Sequence, residues 1–234
     1  MKGYKYLFFD LDRTLWDYEI NSLEAFKDII SELKLNSLIN DPAYFKERYS
    51  YHNEVLWEQY KTGEISKEYL SCKRFEILLE EFNINDNNIV KQFESKYLLK
   101  VPTKNNLFPH TIETLKYLVN KDYQLSIITN GFEEIQYKKM ENTNIKHFFK
   151  HIIISEKVGV KKPAPKIFDY ALKKCKASKS NSLMIGDDLE SDIVGAANFG
   201  IDQVFYNPEK TKTQKQFIKP TYTISEITEL TKIL

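Results

Sequence analysis

Residues 7–17 read LFFDLDRTLWD, an apolar run that stops on Asp10, with a second acid, Asp12, two residues later. A short apolar run bounded by polar residues reads as a buried strand, here over 4–10, YKYLFFD. Carboxylates two apart in extended chain project to the same side. Like charges at that range raise one another's pKa, so a chain that keeps both acids at one strand end needs a nearby cation.

Four further runs of the same kind follow: YQLSIITNG (123–131), HIIISEK (151–157), NSLMIGDD (181–188) and IDQVFYN (201–207). Helix-period stretches separate them. TIETLKYLVNK (111–121) precedes the second run, EEIQYKKMENT (133–143) follows it, PKIFDYALKKCK (165–176) follows the third and ESDIVGAANFG (190–200) the fourth. Strands alternating with helices of this length specify right-handed crossovers and a parallel sheet covered on both faces. The interval from Trp16 to Thr103 breaks the alternation. It holds four helical patterns (21–34, 42–63, 66–82 and 87–99) and no strand, and it far exceeds the dozen or so residues that a crossover needs. The expected fold is therefore α/β, with a Rossmann-like parallel-sheet core built from 1–16 and 104–234 and an α-helical domain, 17–103, inserted after the first strand.

In a parallel sheet the strands share one C-terminal edge, where open α/β folds place their ligands. The polar residues at those ends are Asp10 and Asp12, Thr129 and Asn130, Ser155 followed by Lys161 or Lys162, and Asp187, Asp188 and Asp192. Five carboxylates converging with one or two lysines cannot all stay ionised without a cation. Oxygen-only ligation with no His or Cys at hand favours a hard ion such as Mg²⁺. Any one of these acids alone reads more simply as a helix N-cap or turn former, and TNG and KKP alone are an ordinary turn and loop. Their joint occurrence, in that order on successive strands, is what points to a site.

With these motifs in place, FFDLDRTL, IITNG, VGVKKPAPKIF and IGDDLESDIVGAANFG, the chain resembles the haloacid dehalogenase superfamily over essentially its full length. The resemblance implies a Rossmann-like core and, for the helical block, an inserted cap of the C1 class. It implies that Asp10 is a nucleophile taking a phosphoryl group as an aspartyl-phosphate, and that Asp12 is the general acid and base. Thr129 and the Asn130 backbone amide would hold phosphate oxygens. Lys162, the lysine directly before Pro163, would neutralise charge. Mg²⁺ would be held by Asp10, the Asp12 backbone carbonyl and Asp187, with Asp192 in support. An acid at position 12 separates the phosphatases from the dehalogenases, whose halide leaving group needs no proton. Asp188 departs from the serine of many relatives; it could adjust the metal's surroundings, but a helix N-cap is the simpler expectation.

Within the helical block, 49–66 and 72–79 resemble the branch acting on nucleoside 5′-monophosphates, including modified pyrimidine nucleotides. Asn53 could then hydrogen-bond a base edge and Trp57 could stack on it, with Arg74 a more distant candidate. Against this, the spacing of Asn53, Val55, Leu56, Trp57 and Tyr60 suits ordinary helix packing. Enzymes of other preference, on sugar phosphates, phosphoglycolate or pyrophosphate, would share every core residue, and a silent binding module on this fold would be expected to have lost Asp10, Asp12 or Lys162.

Composition bounds the partners. Lys and Arg number 34 against 33 Asp and Glu, so the net charge of +1 gives no field for gathering nucleic acid or an anionic membrane. The lysines of 208–220 read as a solvated loop, and His147 and His151, four apart in HFFKH, as the approach to a strand and not as a helical metal pair. Cys72 and Cys175 lack the spacing of a zinc site or disulfide framework, and no stretch approaches ~18 uninterrupted apolar residues. The expectation is a cytoplasmic monomer or weak homodimer whose partner is a small phosphorylated molecule.

Overall fold

The run that stops at Asp10 forms strand β1 (Tyr6–Phe9), three of whose four residues are fully buried. The structure is a computed structural model describing residues 3–210 and 219–234. By internal contacts the chain divides into two units, Met1–Asp17 with Asn105–Leu234, and Tyr18–Lys104.

The second unit consists of α1 (Tyr18–Glu32), α2 (Pro42–Thr62), α3 (Lys67–Glu81) and α4 (Asn87–Lys100), closed by a short turn at Val101–Thr103. Each of the last three helices starts on a side-chain cap. Asp41 accepts from the Ala43 and Tyr44 amides ahead of Pro42, Ser66 from Tyr69, and Asp86 from Asn88; such caps are worth about 1 kcal/mol each. The interior is aromatic. Phe26 packs on Phe45, Tyr49 and Tyr97 at centroid distances of 5.4, 4.8 and 5.3 Å, and Phe75 on Phe93 at 5.5 Å. The weak sequence amphipathicity of α2 to α4 is thus made up by a few large rings, each able to bury 150–250 Å² by the usual size of such side chains, ~2–3 kcal/mol apiece.

In the first unit the chain continues through α5 (Thr111–Asn120), β2 (Gln124–Thr129), α6 (Glu133–Asn142), β3 (Phe149–Ile154), a single turn α7 (Ser155–Val158) and α8 (Pro165–Cys175). Then come β4 (Ser182–Gly186), a π-helical turn at Leu189–Val194, α9 (Gly195–Phe199), β5 (Asp202–Tyr206), β6 (Tyr222–Ile224) and α10 (Leu230–Ile233). Among the described residues six strands form one sheet, all parallel, in the order β3-β2-β1-β4-β5-β6. Strand order therefore reverses beside β1, the switch point at which open α/β sheets bind their ligands. One face is packed by Phe8, Ile128, Ile153 and Met184 against Ile167 and Phe168 of α8 and Ala196 of α9. That packing fixes the axial position of β1 and β4, and hence where their polar C-terminal residues emerge.

Three details differ from the sequence expectation. The third strand starts at Phe149 and ends at Ile154 instead of spanning 151–157, because Ser155–Val158 turns into helix at once. The helix expected over 190–200 is split into a wider π turn and a short α-helix. The edge strand β6 was not expected at all, since three residues are too few to show an alternation. Of the lysine-bearing stretch 208–220, residues 211–218 lie outside the described residues.

Candidate active site

Asp10 sits one residue beyond β1, and its amide donates to the Ile185 carbonyl at 2.9 Å, extending the β1–β4 ladder. This holds its backbone rigidly at the switch point. Of the two lysines that the sequence left open, Lys162 reaches it. The Lys162 Nζ lies 2.6 Å from Asp10 Oδ1 and 2.6 Å from Asp192 Oδ1, and it is 2 % exposed. The Asn130 side chain grips the Lys162 backbone from both sides, accepting from its N–H at 2.8 Å and donating to its carbonyl at 2.9 Å. Sequence reasoning had given Asn130 only a backbone task and missed this positioning role, which needs a contact between residues 32 apart.

Asp192 projects from the π turn, and its Oδ2 accepts from the Asp188 amide at 3.2 Å. A side chain on Gly186 would overlap that carboxylate, so the glycine at the end of β4 is what admits it. Asp188 caps the turn: its carboxylate accepts from the Glu190 and Ser191 amides at 3.0 and 2.9 Å and from the Ser191 hydroxyl at 3.0 Å. Asp187 accepts from the Thr14 hydroxyl at 2.9 Å, tying the fourth motif to the first.

Carboxylate oxygens of Asp10, Asp187 and Asp192 all lie within 4.8 Å of one another. Burial and the neighbouring acids push Asp187 up to about 7 from its ordinary 3.8. Burial also raises Asp10 and, further, Asp192, against the lowering pull of Lys162. Burial works against the charge on Lys162 as well, but Asp10 and Asp192 outweigh it and hold the ammonium above its usual range. The Lys162 ammonium, with the charge of Arg13 also acting on Asp187, thus fails to balance three acids. Oxygen donors crowded to this degree, with no sulfur or imidazole among them, fit a hard divalent ion such as Mg²⁺.

Asp12 stands apart from this cluster. Its carboxylate accepts from Lys139 Nζ at 2.5 Å through Oδ1 and from Gln136 Nε2 at 2.7 Å through Oδ2. Gln136 Nε2 also donates to Thr129 Oγ1 at 2.9 Å, an oxygen that accepts from the Gly131 amide at 3.1 Å. Burial pulls the Lys139 ammonium below its usual range and Asp12 opposes that. Neither Gln136 nor Lys139 was found from sequence. Their signal was present, however: with Met140 they are the buried residues of α6, at helical spacing, and two of the three are polar.

Asn53 and Trp57 lie on α2 in the helical unit. Asn53 is buried, its amide oxygen accepting from Arg74 Nη1 at 3.2 Å, and Arg74 is itself buried beside Tyr49, donating to its hydroxyl at 3.1 Å. Trp57 is half-buried and packs edge-on against Tyr60 at 5.4 Å. His147 and His151 fall in a turn and in β3, so they share no helical face.

The haloacid dehalogenase-like hydrolase family model matches residues 7–206, which span every residue of both clusters. The chain belongs to that family. As a family member it is 32% identical over 98% of its length to the pyrimidine 5′-nucleotidase YjjG of Escherichia coli, covering 97% of that protein. It is also 32% identical to a glyceraldehyde 3-phosphate phosphatase of Pyrococcus furiosus, over 100% of this chain and 94% of that one. Its fold superposes on the crystal structure of the putative HAD-hydrolase YfnB from Bacillus subtilis, described as bound to magnesium, with a TM-score of 0.87 and 28% identity, over 100% of this chain and 99% of the other. Among the described residues no helix is long and apolar enough to cross a membrane.

Proposed function

We propose that this hydrolase is a Mg²⁺-dependent phosphomonoesterase working through an aspartyl-phosphate on Asp10. The observation that carries the proposal is the buried Lys162 ammonium 2.6 Å from Asp10, inside a carboxylate cluster, with a separately held acid two residues on. Uncatalysed phosphate monoester hydrolysis is so slow that accelerations approach ~10²¹, and most of that must come from positioning and charge neutralisation. Asp10 attacks phosphorus and the bond to the leaving oxygen breaks as Asp12 supplies that oxygen with a proton. Asp12 then takes a proton from water, which attacks the acyl-phosphate and releases inorganic phosphate, restoring Asp10. Lys162 holds the nucleophile and offsets the charge of the transferring group, and Thr129 and the Asn130 amide receive its oxygens. Asp10, the Asp12 carbonyl and Asp187 would hold the metal, with Asp192 restraining Lys162. Magnesium there would supply divalent charge against the phosphoryl oxygens.

For substrate we propose nucleoside 5′-monophosphates, supported by the YjjG likeness over nearly the whole of both chains. Asn53 and Trp57 remain the proposed readers of the leaving group. The equal identity to a glyceraldehyde 3-phosphate phosphatase supports a sugar-phosphate reading as the alternative. Phosphate release across a panel of nucleotides, sugar phosphates, phosphoglycolate and pyrophosphate separates them. The expected result is fastest turnover on pyrimidine 5′-monophosphates, abolished by excess EDTA. Turnover of sugar phosphates alone would sink the nucleotide preference, and full activity in EDTA the metal.

A second measurement follows from Asp187. In the metal-free protein its folded-state pKa of about 7 lies above the ordinary 3.8, so the folded state holds the extra proton between those values. The contribution of this group to stability therefore falls as pH rises from ~4 to ~7. Metal binding requires the ionised carboxylate. The gain in Tm on adding Mg²⁺ is expected to be clearly larger at about pH 8 than at about pH 5.5, and a gain independent of pH would contradict the assignment of Asp187.

A further inference from the structure

We propose that Gln136 and Lys139 are a positioning pair for Asp12, setting the orientation from which that carboxylate gives and then takes its proton. The inference rests on the phosphomonoesterase reading and adds two residues to it.

The geometry has four parts. Each Asp12 oxygen has its own donor, Lys139 Nζ at 2.5 Å and Gln136 Nε2 at 2.7 Å, so rotation of the carboxylate plane is blocked from both sides. The donors lie three apart on α6 and share one face of it, so they move as one body. Both are buried, Gln136 fully and Lys139 at 4 % exposed, and the Lys139 ammonium sits 4.1 Å from the centroid of the Trp16 ring. Burying a long cationic side chain is costly without a partner in good geometry, and the partner here is the proposed acid/base. Finally, a side chain on Gly131 would collide with the Gln136 amide, so the glycine of the TNG turn leaves room for that amide to reach Asp12.

The arrangement also separates the two acids. Asp10 and Asp12 are two residues apart, yet each has its own lysine, Lys162 for the first and Lys139 for the second. This keeps the Asp12 carboxylate out of the cluster around Asp10. The Gln136 amide also donates to Thr129 Oγ1 at 2.9 Å, so the orientation of the acid/base is tied to a residue proposed to receive phosphate oxygens. A carboxylate serving the leaving oxygen in one step and water in the next must be correctly placed in both. Misplacement by about 1 Å can cost ~10²-fold in rate.

The test uses the full chain supplied with Mg²⁺ and compares Lys139→Met and Gln136→Leu with wild type and with Lys138→Met, which alters the exposed neighbour. Two esters serve as probes: 4-nitrophenyl phosphate, whose leaving group needs no proton, and a nucleoside or sugar 5′-phosphate, whose alkoxide does. Lys139→Met is expected to lower kcat on the alkyl ester by about 10²-fold with little change in KM. On the aryl ester phosphoryl transfer persists while the base-dependent second step slows, so stopped flow should show a stoichiometric burst of 4-nitrophenolate that wild type lacks. Gln136→Leu, which removes no charge, is expected to show the same pattern more weakly and stands in should Lys139→Met fail to fold. Rates matching Lys138→Met, an increase in rate, or equal losses on both esters without a burst would each overturn the inference. Wild type inactive on both esters would instead remove the phosphomonoesterase reading and this inference with it.

Discussion

Asp10→Asn is expected to abolish turnover, lowering kcat by on the order of 10⁵–10⁶, the loss seen when a covalent nucleophile is removed. The amide has nearly the shape of the carboxylate but no negative oxygen with which to attack phosphorus, and Asp192, the acid that shares Lys162 with Asp10, is fully enclosed. The fold should survive. Burial and the charge of Asp12 raise the Asp10 carboxyl above its usual range against the pull of Lys162, and Asp10 in turn raises Asp187 and Asp192, so a neutral residue there relieves repulsion with those two acids and leaves Lys162 its contact to Asp192. The checks are phosphate release, and a thermal melt of the metal-free variant at about pH 8, expected at or above the wild-type Tm. Turnover within a hundredfold of wild type would place the nucleophile elsewhere.

Lys162→Met is expected to act on rate and stability together. The ammonium is a positive charge bonded directly to Asp10, and deleting one preorganised electrostatic donor costs about 10²–10³ in kcat. The same deletion strands Asp10 and Asp192, 8 % and 0 % exposed, without a counter-charge, and breaking a buried pair by removing one partner costs about 3–5 kcal/mol. For a chain of this size that is roughly a 10 °C fall in Tm of the α/β unit. The sign of its pH dependence follows from the acids. Burial and the neighbouring carboxylates favour protonated Asp192, so acidification supplies the missing neutralisation, and the deficit relative to wild type should shrink from about pH 8 to about pH 5. A deficit that grows on acidification, or a kcat near that of wild type, would mean that Lys162 does not carry the charge balance of the site.

Much of the molecule was legible in the sequence because the relevant signals are local. Apolar runs too short for helices located β1, β2, β4 and β5, and the polar residues that close them located Asp10, Asp12, Thr129 and Asp187 at one sheet edge. Asp188 could be read as a cap from its place before a helical stretch, and its three hydrogen bonds within the turn are those of a cap. The short edge strand β6 and the π turn were illegible, the first for want of residues and the second because one extra residue per turn leaves no period in so short a stretch.

The sequence by itself determined the chemical types present, four strand-end motifs in a fixed order, since residue identity and apolar periodicity need no knowledge of distant chain. Only the tertiary structure decided which atoms meet. Lys162 over Lys161 on Asp10, Asn130 on the Lys162 backbone, and Gln136 with Lys139 on Asp12 are contacts across 152, 32, 124 and 127 residues. Such contacts depend on how far α6 is rotated about its axis and on which rotamers the packing allows. Those quantities are set by the whole sheet and its covering helices at once, which is why two acids two residues apart could be recognised from the chain while the separate lysine that holds each of them could not.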